Sequence, residues 1–243
     1  MEGCTTVQRW LADAKRVAVL TGAGISKESG LPTFRGAEGL WRRHRPEQLA
    51  TPEAFARDPR LVWEWYEWRR SVVARAQPNA GHRALAGLEN RAPHFTLITQ
   101  NVDGLHERAG SRRLLKLHGD LWTLRCLGCG AESANRQVPL PELPPRCACG
   151  ALLRPSVVWF GEALPRAPLE QALQAARQAQ VFLVIGTSAV VRPAASLPLL
   201  AKQAGARVVE INPEETPLTP VADASLRGPA AEVLPRLVEV AVS

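Results

Sequence analysis

Four cysteines fall in two pairs, Cys126-x2-Cys129 and Cys147-x-Cys149, with 17 residues between them. Gly128, Gly130 and Gly150 stand where each pair needs a tight turn. Thiolates in this pattern close a tetrahedral zinc site from two knuckles and leave no open position for a reacting ligand. The second knuckle is C-x-C, so its bite must be tighter than that of C-x2-C. Cys4 is left over and reads as a free thiol.

A second group of residues can hold an anion. Val17–Leu20 reads as a buried strand that runs through Thr21 into Gly22-Ala23-Gly24 and then into polar residues, Ser26, Glu28 and Ser29, which open a helical turn. A strand, a glycine turn and a helix N-terminus together offer free N–H groups and a helix dipole to a phosphate. A dinucleotide is the expected tenant, although the hydride-transfer fingerprint fails. Lys27 stands where its third glycine belongs, and no acidic residue ends a second strand. Gly30-Leu31-Pro32-Thr33-Phe34-Arg35 reads as a lid over the site, closed by Gly39-Leu40-Trp41.

Further polar residues gather at predicted strand ends. Phe95–Thr99 runs into Gln100-Asn101-Val102-Asp103-Gly104-Leu105-His106, and Leu114–Leu117 into His118-Gly119. A histidine at a strand end suits a general base, with a structural histidine as the alternative. Tyr66 lies three residues before Arg69 on one face of the helix read over Arg60–Ala76. The pair could grip a carboxylate, the arginine with two bonds, or could be a surface tyrosine beside a solvated arginine. Trp63, Trp65 and Trp68 of that helix read as packing residues.

These residues need a scaffold, and the alternation supplies one. Helices are expected at 5–15, from Thr51-Pro52-Glu53, over 60–76, from Gly81-His82, over 169–180 and 198–204, and within 225–242. Strands are expected at 17–20, 95–99, 114–117, 181–185 and 207–211. Strands alternating with helices predict an α/β fold: a Rossmann-like parallel sheet with helices on both faces, plus a small zinc-ribbon and a helical module. We assign 1–35, 80–120 and 155–243 to the Rossmann-like dinucleotide-binding domain, 36–79 to the helical module and 121–154 to the ribbon.

At 243 residues the chain can bury a sizeable core. No apolar run is long enough to span a bilayer, and cysteines clustered for metal suit a reducing compartment, so we expect a cytoplasmic protein with no membrane partner. The net charge of +7 comes from arginines scattered among glutamates rather than from a basic run, so nucleic acid is not expected as a partner.

In combination the segments resemble the sirtuin family of NAD-dependent protein lysine deacylases. The matching runs are GAGIS-ESG-PTFR (22–35), TQNVDGLHERAG (99–110), LHG (117–119), the four cysteines, RP-VVWFGE (154–162), GTS (186–188) and IN (211–212). ATPEAFARDP (50–59), the Tyr66/Arg69 pair and PNAGHRAL (78–85) further resemble the bacterial, class III type that removes succinyl and malonyl groups.

The resemblance implies NAD as co-substrate and a structural zinc on Cys126, Cys129, Cys147 and Cys149. Gly22, Ala23 and Gly24 would hold the pyrophosphate. Thr33, Phe34, Arg35 and Trp41 would close over the nicotinamide ribose. Gln100, Asn101, Val102 and Asp103 would fix that ribose and the amide. Gly186, Thr187, Ser188, Asn212 and Ala230 would line the adenosine end. His118 and Asn101 would be catalytic, with the acyl group passing from lysine to ADP-ribose as nicotinamide leaves. Tyr66 and Arg69 would meet an acyl carboxylate. Val158, Trp159, Phe160, Gly161 and Glu162 would pair as a strand with the substrate peptide. The implied partners are acylated lysines of proteins, and the chain is expected to be a monomer. The competing readings are an NAD-dependent ADP-ribosyltransferase and a non-catalytic NAD-responsive module.

Overall fold

Buried on both faces from Val17 onward, Arg16–Thr21 has the pattern of a central strand in a covered parallel sheet. In the structure, a computed structural model that describes residues 2–34 and 46–239, this run is β1. The other strands are β2 (His94–Thr99), β3 (Leu114–Lys116), β4 (Gly119–Cys126), β5 (Glu132–Ala134), β6 (Leu153–Val157), β7 (Val181–Ile185), β8 (Arg207–Ile211) and β9 (Ala224–Leu226). Helices are α1 (Glu2–Asp13), α2 (Pro46–Leu49), α3 (Pro52–Arg57), α4 (Pro59–Arg75), α5 (Ala80–Arg91), α6 (Leu105–Arg108), α7 (Arg166–Gln178), α8 (Leu197–Gln203) and α9 (Ala230–Glu239). None is long and apolar enough to cross a membrane.

The main sheet is parallel, with the order β3-β2-β1-β7-β8-β9. The chain moves outward from β1 to β3, returns to β7 beside β1, and moves outward the other way. The reversal creates a topological switch point between the C-terminal ends of β1 and β7, where open α/β sheets bind ligands. Alternate strand residues build one core on each face. Val17, Val19, Leu97, Leu183 and Val209 pack with Val7 and Leu11 of α1, Leu85 of α5 and Leu234 of α9. Ala18, Leu20, Ile98, Phe182 and Val208 pack with Ala172 and Ala176 of α7 and with Leu197 and Ala201 of α8. Each fully buried Leu, Val or Phe side chain contributes roughly 1.5–3 kcal/mol, and these two cores hold the strands that carry the site.

A second sheet, antiparallel in the order β5-β4-β6, carries the cysteine pairs. Its Leu121, Trp122, Leu124 and Val157 share one apolar cluster with Phe55, Val62, Trp63 and Trp65 of α3 and α4. Arg70 of α4, fully buried, donates to the carbonyls of Leu121 (3.0 Å), Asn135 (3.0 Å) and Gln137 (2.9 Å). Trp63 donates to the Leu153 carbonyl at 2.8 Å. The packing expected of the tryptophans holds for Trp63 and Trp65, whereas Trp68 is 43% exposed. Local signals set the helix starts. Thr51 Oγ1 accepts from the Ala54 amide at 3.1 Å, Asp58 caps α4 through Leu61, and Asn79 caps α5 through Gly81 and His82.

Candidate active site

A cleft of about 1020 Å³ opens at the switch point and runs from α4 to the ends of β7 and β8. Gly22, Ala23, Gly24, Thr33, Phe34, Gln100, Asn101, Val102, His118, Gly186, Thr187, Ser188, Asn212 and Ala230 line it, as do Tyr66, Arg69 and Val158, Trp159, Phe160, Gly161 and Glu162. Arg35 and Trp41 lie outside the described residues. Asp103 does not face the cleft but is buried behind it. Lys27, Glu28, Arg192 and the loop Pro213–Pro217 also line the wall, without having been anticipated there.

The glycine turn has a structural reason of its own. A Cβ on Gly22 would stand 2.8 Å from the Gly186 oxygen, and one on Gly24 2.7 Å from the Gly186 Cα. The two strand ends therefore meet backbone to backbone, and Gly186 itself sits at φ 58°. The segment after Gly22 is a 3₁₀ helix, Ala23–Ser29, and most of its opening amides are engaged. Gly22 donates to Ile185 at 3.0 Å, Gly24 to Gly186 at 2.7 Å and Ile25 to Gly22 at 3.2 Å. The expectation of a row of free N–H groups is thereby corrected, since Gly22, Gly24 and Ile25 spend theirs on closing the floor. Lys27 is exposed at the cleft rim in the last turn of this 3₁₀ helix, where the dipole favours a cation.

Asn101 is 93% buried by its neighbours, with 7% left exposed, and its amide donates to the Gly22 carbonyl at 3.1 Å and to Ser26 Oγ at 3.3 Å. The Ser26 hydroxyl donates to Asp103 at 2.8 Å, and the Leu105 amide also donates to Asp103 at 2.9 Å. Burial raises the Asp103 carboxyl above the ordinary range, and these two donors oppose that rise. His118 sits beside Gln100, with its Nδ1 3.1 Å from the Gln100 carbonyl. A carbonyl can only accept, so Nδ1 carries the proton and Nε2 is left as a base. Burial lowers the His118 pKa below 6.5, only partly offset by that carbonyl, which keeps the ring neutral near pH 7.

Two further histidines form a buried layer that sequence reading missed. His82 and His106 are 4.9 Å apart between ring centroids, and burial pushes His82 down to about 4. The Asn79 amide faces His82 Nδ1 at 3.3 Å, so its Nε2 bears the hydrogen toward Ser26, 3.4 Å away. Thr21 gives its hydroxyl proton to Thr99 at 2.8 Å and therefore accepts from His106 Nε2 at 2.9 Å. Neutral rings are thus built into the support of Asn101. His82 falls in PNAGHRAL and His106 in TQNVDGLHERAG, but neither run by itself shows that the two rings meet behind Asn101.

On the acyl side, Tyr66 and Arg69 of α4 both reach the cleft. The Arg69 guanidinium lies 4.4 Å from the centroid of Phe34 and 5.2 Å from that of Trp65. Burial pulls it below the ordinary guanidinium range, while Tyr66 and Asp103 push back. Among the described residues it forms no ion pair within 4 Å.

Val158–Glu162, the run expected to pair with a substrate peptide, is not itself in a strand here. β6 ends at Val157, and the chain then turns, with Gly161 at φ 86°. Val158 donates to the His118 carbonyl at 2.9 Å, Phe160 to Ala50 at 2.9 Å, Trp159 to Glu162 Oε2 at 2.7 Å and Glu162 to Trp159 at 3.1 Å. Among the described residues these bonds already engage the amides of Val158, Trp159, Phe160 and Glu162.

At the opposite end, Asn212 donates to the Thr187 carbonyl at 2.9 Å, and Gln100 to Thr187 Oγ1 at 3.0 Å. The wall formed by Pro213–Pro217 is held from behind. Arg227 donates to buried Glu210 at 3.0 Å and to the Glu214 carbonyl at 2.9 Å. Glu210 also accepts from Thr216 and Thr219.

The four cysteine sulfurs lie within 4.8 Å of one another, with Cys126 3.5 Å from Cys149 and Cys129 3.8 Å from Cys147. The shorter knuckle therefore closes on the same point as the longer one. Amides of Cys129 and Gly128 aim at the Cys126 sulfur and pull its thiol down to about 6. This donor set fits a structural zinc with no ligand position left open.

The sequence profile of the Sir2 family matches residues 22–193, well over half of the chain. The NAD-dependent protein deacylase of Aquifex aeolicus is 57% identical over 222 residues, 91% of this chain and 93% of that protein. A solved complex of a Sir2 homologue with NAD matches with a TM-score of 0.92 at 54% identity, over 98% of this chain and 93% of the other. A Sir2 protein bound to a myristoylated histone peptide matches with a TM-score of 0.81 at 36% identity, over 99% and 96%. With the switch-point cleft, the strand-end histidine and the tetrathiolate ribbon already in place, these likenesses establish that the chain belongs to the Sir2 family.

Proposed function

We propose that the protein is an NAD-dependent protein-lysine deacylase that prefers acidic acyl groups, succinyl and malonyl, over acetyl. The cleft would hold NAD with its ribose carbon beside the acyl oxygen of the modified lysine, and the reaction would consume one water and yield free lysine, nicotinamide and O-acyl-ADP-ribose. Gly22, Gly24 and Gly186 line the cleft where the two strand ends meet backbone to backbone, and a pyrophosphate could approach that backbone closely. His118, protonated at Nδ1, presents Nε2 to accept a proton from a ribose hydroxyl. Asn101 is locked by Gly22 and Ser26 and orients the nicotinamide end. The family relatives named deacylase, and the one holding an acylated histone peptide, support acylated lysine as the substrate class. Cysteines clustered for a metal suit a reducing compartment, and in this reading the protein works in the cytoplasm on protein substrates rather than on nucleic acid or membrane.

One observation carries the acyl preference. Arg69 presents a part-buried cation on the cleft wall, stacked on Phe34 and Trp65 with no carboxylate paired to it among the described residues. A cation withdrawn from water favours a ligand that brings its own anion. The same NAD cleft would serve an ADP-ribosyltransferase, but that reaction leaves Arg69 without a purpose. Arg69→Met is expected to reverse the order of succinyl and acetyl turnover in a peptide assay. Equal losses on both substrates would remove the pair from the acyl site.

A further inference from the structure

Tyr66 is 4% exposed and Trp159 3% exposed, yet both face the cleft. The indole Nε1–H of Trp159 donates to the Tyr66 hydroxyl oxygen at 2.8 Å. An indole nitrogen can donate but cannot accept, so the phenol's own proton must go elsewhere. Among the described residues no carbonyl or carboxylate accepts it. Buried polar hydrogens are almost always paired, and a ligand in the cleft would supply the partner that is absent among the described residues.

We propose that Trp159 is the specificity-determining partner of Tyr66: by donating to the phenol oxygen, it commits the phenolic O–H to donate toward the acyl end beside Arg69. The inference rests on the acidic-acyl reading above. A tyrosine left free could turn a lone pair toward the ligand and repel a carboxylate. With its oxygen already accepting from Trp159, it offers that carboxylate a hydrogen, and burial keeps the phenol protonated by pushing its pKa up to about 12.

The indole is held tightly enough to impose this choice. Arg154 lies 3.3 Å from its ring centroid on one contact, and Phe55 packs at 5.3 Å. Arg154 is fixed in turn by two bonds to Glu162, 2.6 and 2.9 Å, and by one to the Val157 carbonyl at 2.8 Å. Glu162 also accepts the Trp159 amide at 2.7 Å, so ring and backbone share one anchor. The Tyr66 ring is set edge-on against Trp65, with centroids 4.7 Å apart. The run read as a peptide-pairing strand thus also carries an acyl-selecting side chain.

The test is the ratio of kcat/KM for succinyl over acetyl peptide, measured on one preparation of each full-length protein so that the folded fraction cancels. Wild type, Trp159→Phe, Tyr66→Phe and the double variant are compared. Either single change is expected to lower the ratio by about tenfold, the weight of one hydrogen bond to a charged group, and the double variant to fall no further than Tyr66→Phe alone. Phe55→Leu, which loosens the indole without touching its N–H, is expected to move the ratio the same way if Trp159→Phe does not fold. A Trp159→Phe ratio within twofold of wild type, equal losses on both peptides, or a double variant whose loss is the product of the singles would overturn the inference while leaving the deacylase reading intact. A wild type with no preference for succinyl would overturn the acidic-acyl reading itself, and this inference with it.

Discussion

His118 owes its role to two contacts. The Gln100 carbonyl fixes its tautomer, and the Val158 amide binds its carbonyl, which joins the base to the acyl-side wall. Because burial lowers its pKa, a smaller fraction is protonated at a given pH than for a free imidazole. The reaction needs the neutral ring, so kcat/KM should rise with pH through a midpoint below 6.5 and then level. A midpoint at or above 6.5 in the pH profile would contradict the assigned base. At this scale the sequence was legible wherever a motif set the residue: His118, Asn101 and the glycines all face the cleft. It was not legible where partners come from distant runs. Trp159 and Tyr66 are 93 positions apart, as are no neighbours that periodicity could pair. Asp103 reads as a cleft residue because its neighbours are, but its side chain turns inward to Ser26.

Among the elements, α4 and the ribbon sheet depend on each other. Arg70 ties the helix to the carbonyls of Leu121, Asn135 and Gln137, and Leu124 and Leu140 pack into the cluster that holds Tyr66 and Trp65. A small antiparallel sheet with exposed β5 has little core of its own, so its metal must contribute to its folding. Removing zinc with a chelator is therefore expected to lower the melting temperature and to remove succinyl and acetyl turnover together. Metal-free protein with unchanged melting and activity would show that the four cysteines are not a structural site. The strands and most helices could be read from apolar runs and from caps such as Thr51 and Asn79. The 3₁₀ helix after Gly22 could not, because its form is imposed by the contact with Gly186. The run after Val157 has strand-like composition, and Gly161 at positive φ with the Glu162 carboxylate on the Trp159 amide turns it instead.

Across the whole molecule, the order β3-β2-β1-β7-β8-β9 sets the ends of β1 and β7 side by side and makes one cleft with two walls. One wall comes from the β8 end and its Arg227–Glu210 clasp, the other from α4 and the loop after β6. The alternation of strands and helices pointed to this sheet, and the cysteine spacing to the second one. That the helical module and the ribbon share one core follows from tertiary packing alone. The account's central claim is that this cleft joins NAD consumption to removal of an acidic acyl group. It is tested most directly by giving the enzyme NAD and two peptides that differ only in the acyl group on one lysine. The account predicts succinyl turnover well above acetyl, with one nicotinamide formed per acyl removed. Acetyl preference would contradict the role of Tyr66 and Arg69, and nicotinamide release without acyl loss would contradict the deacylase itself.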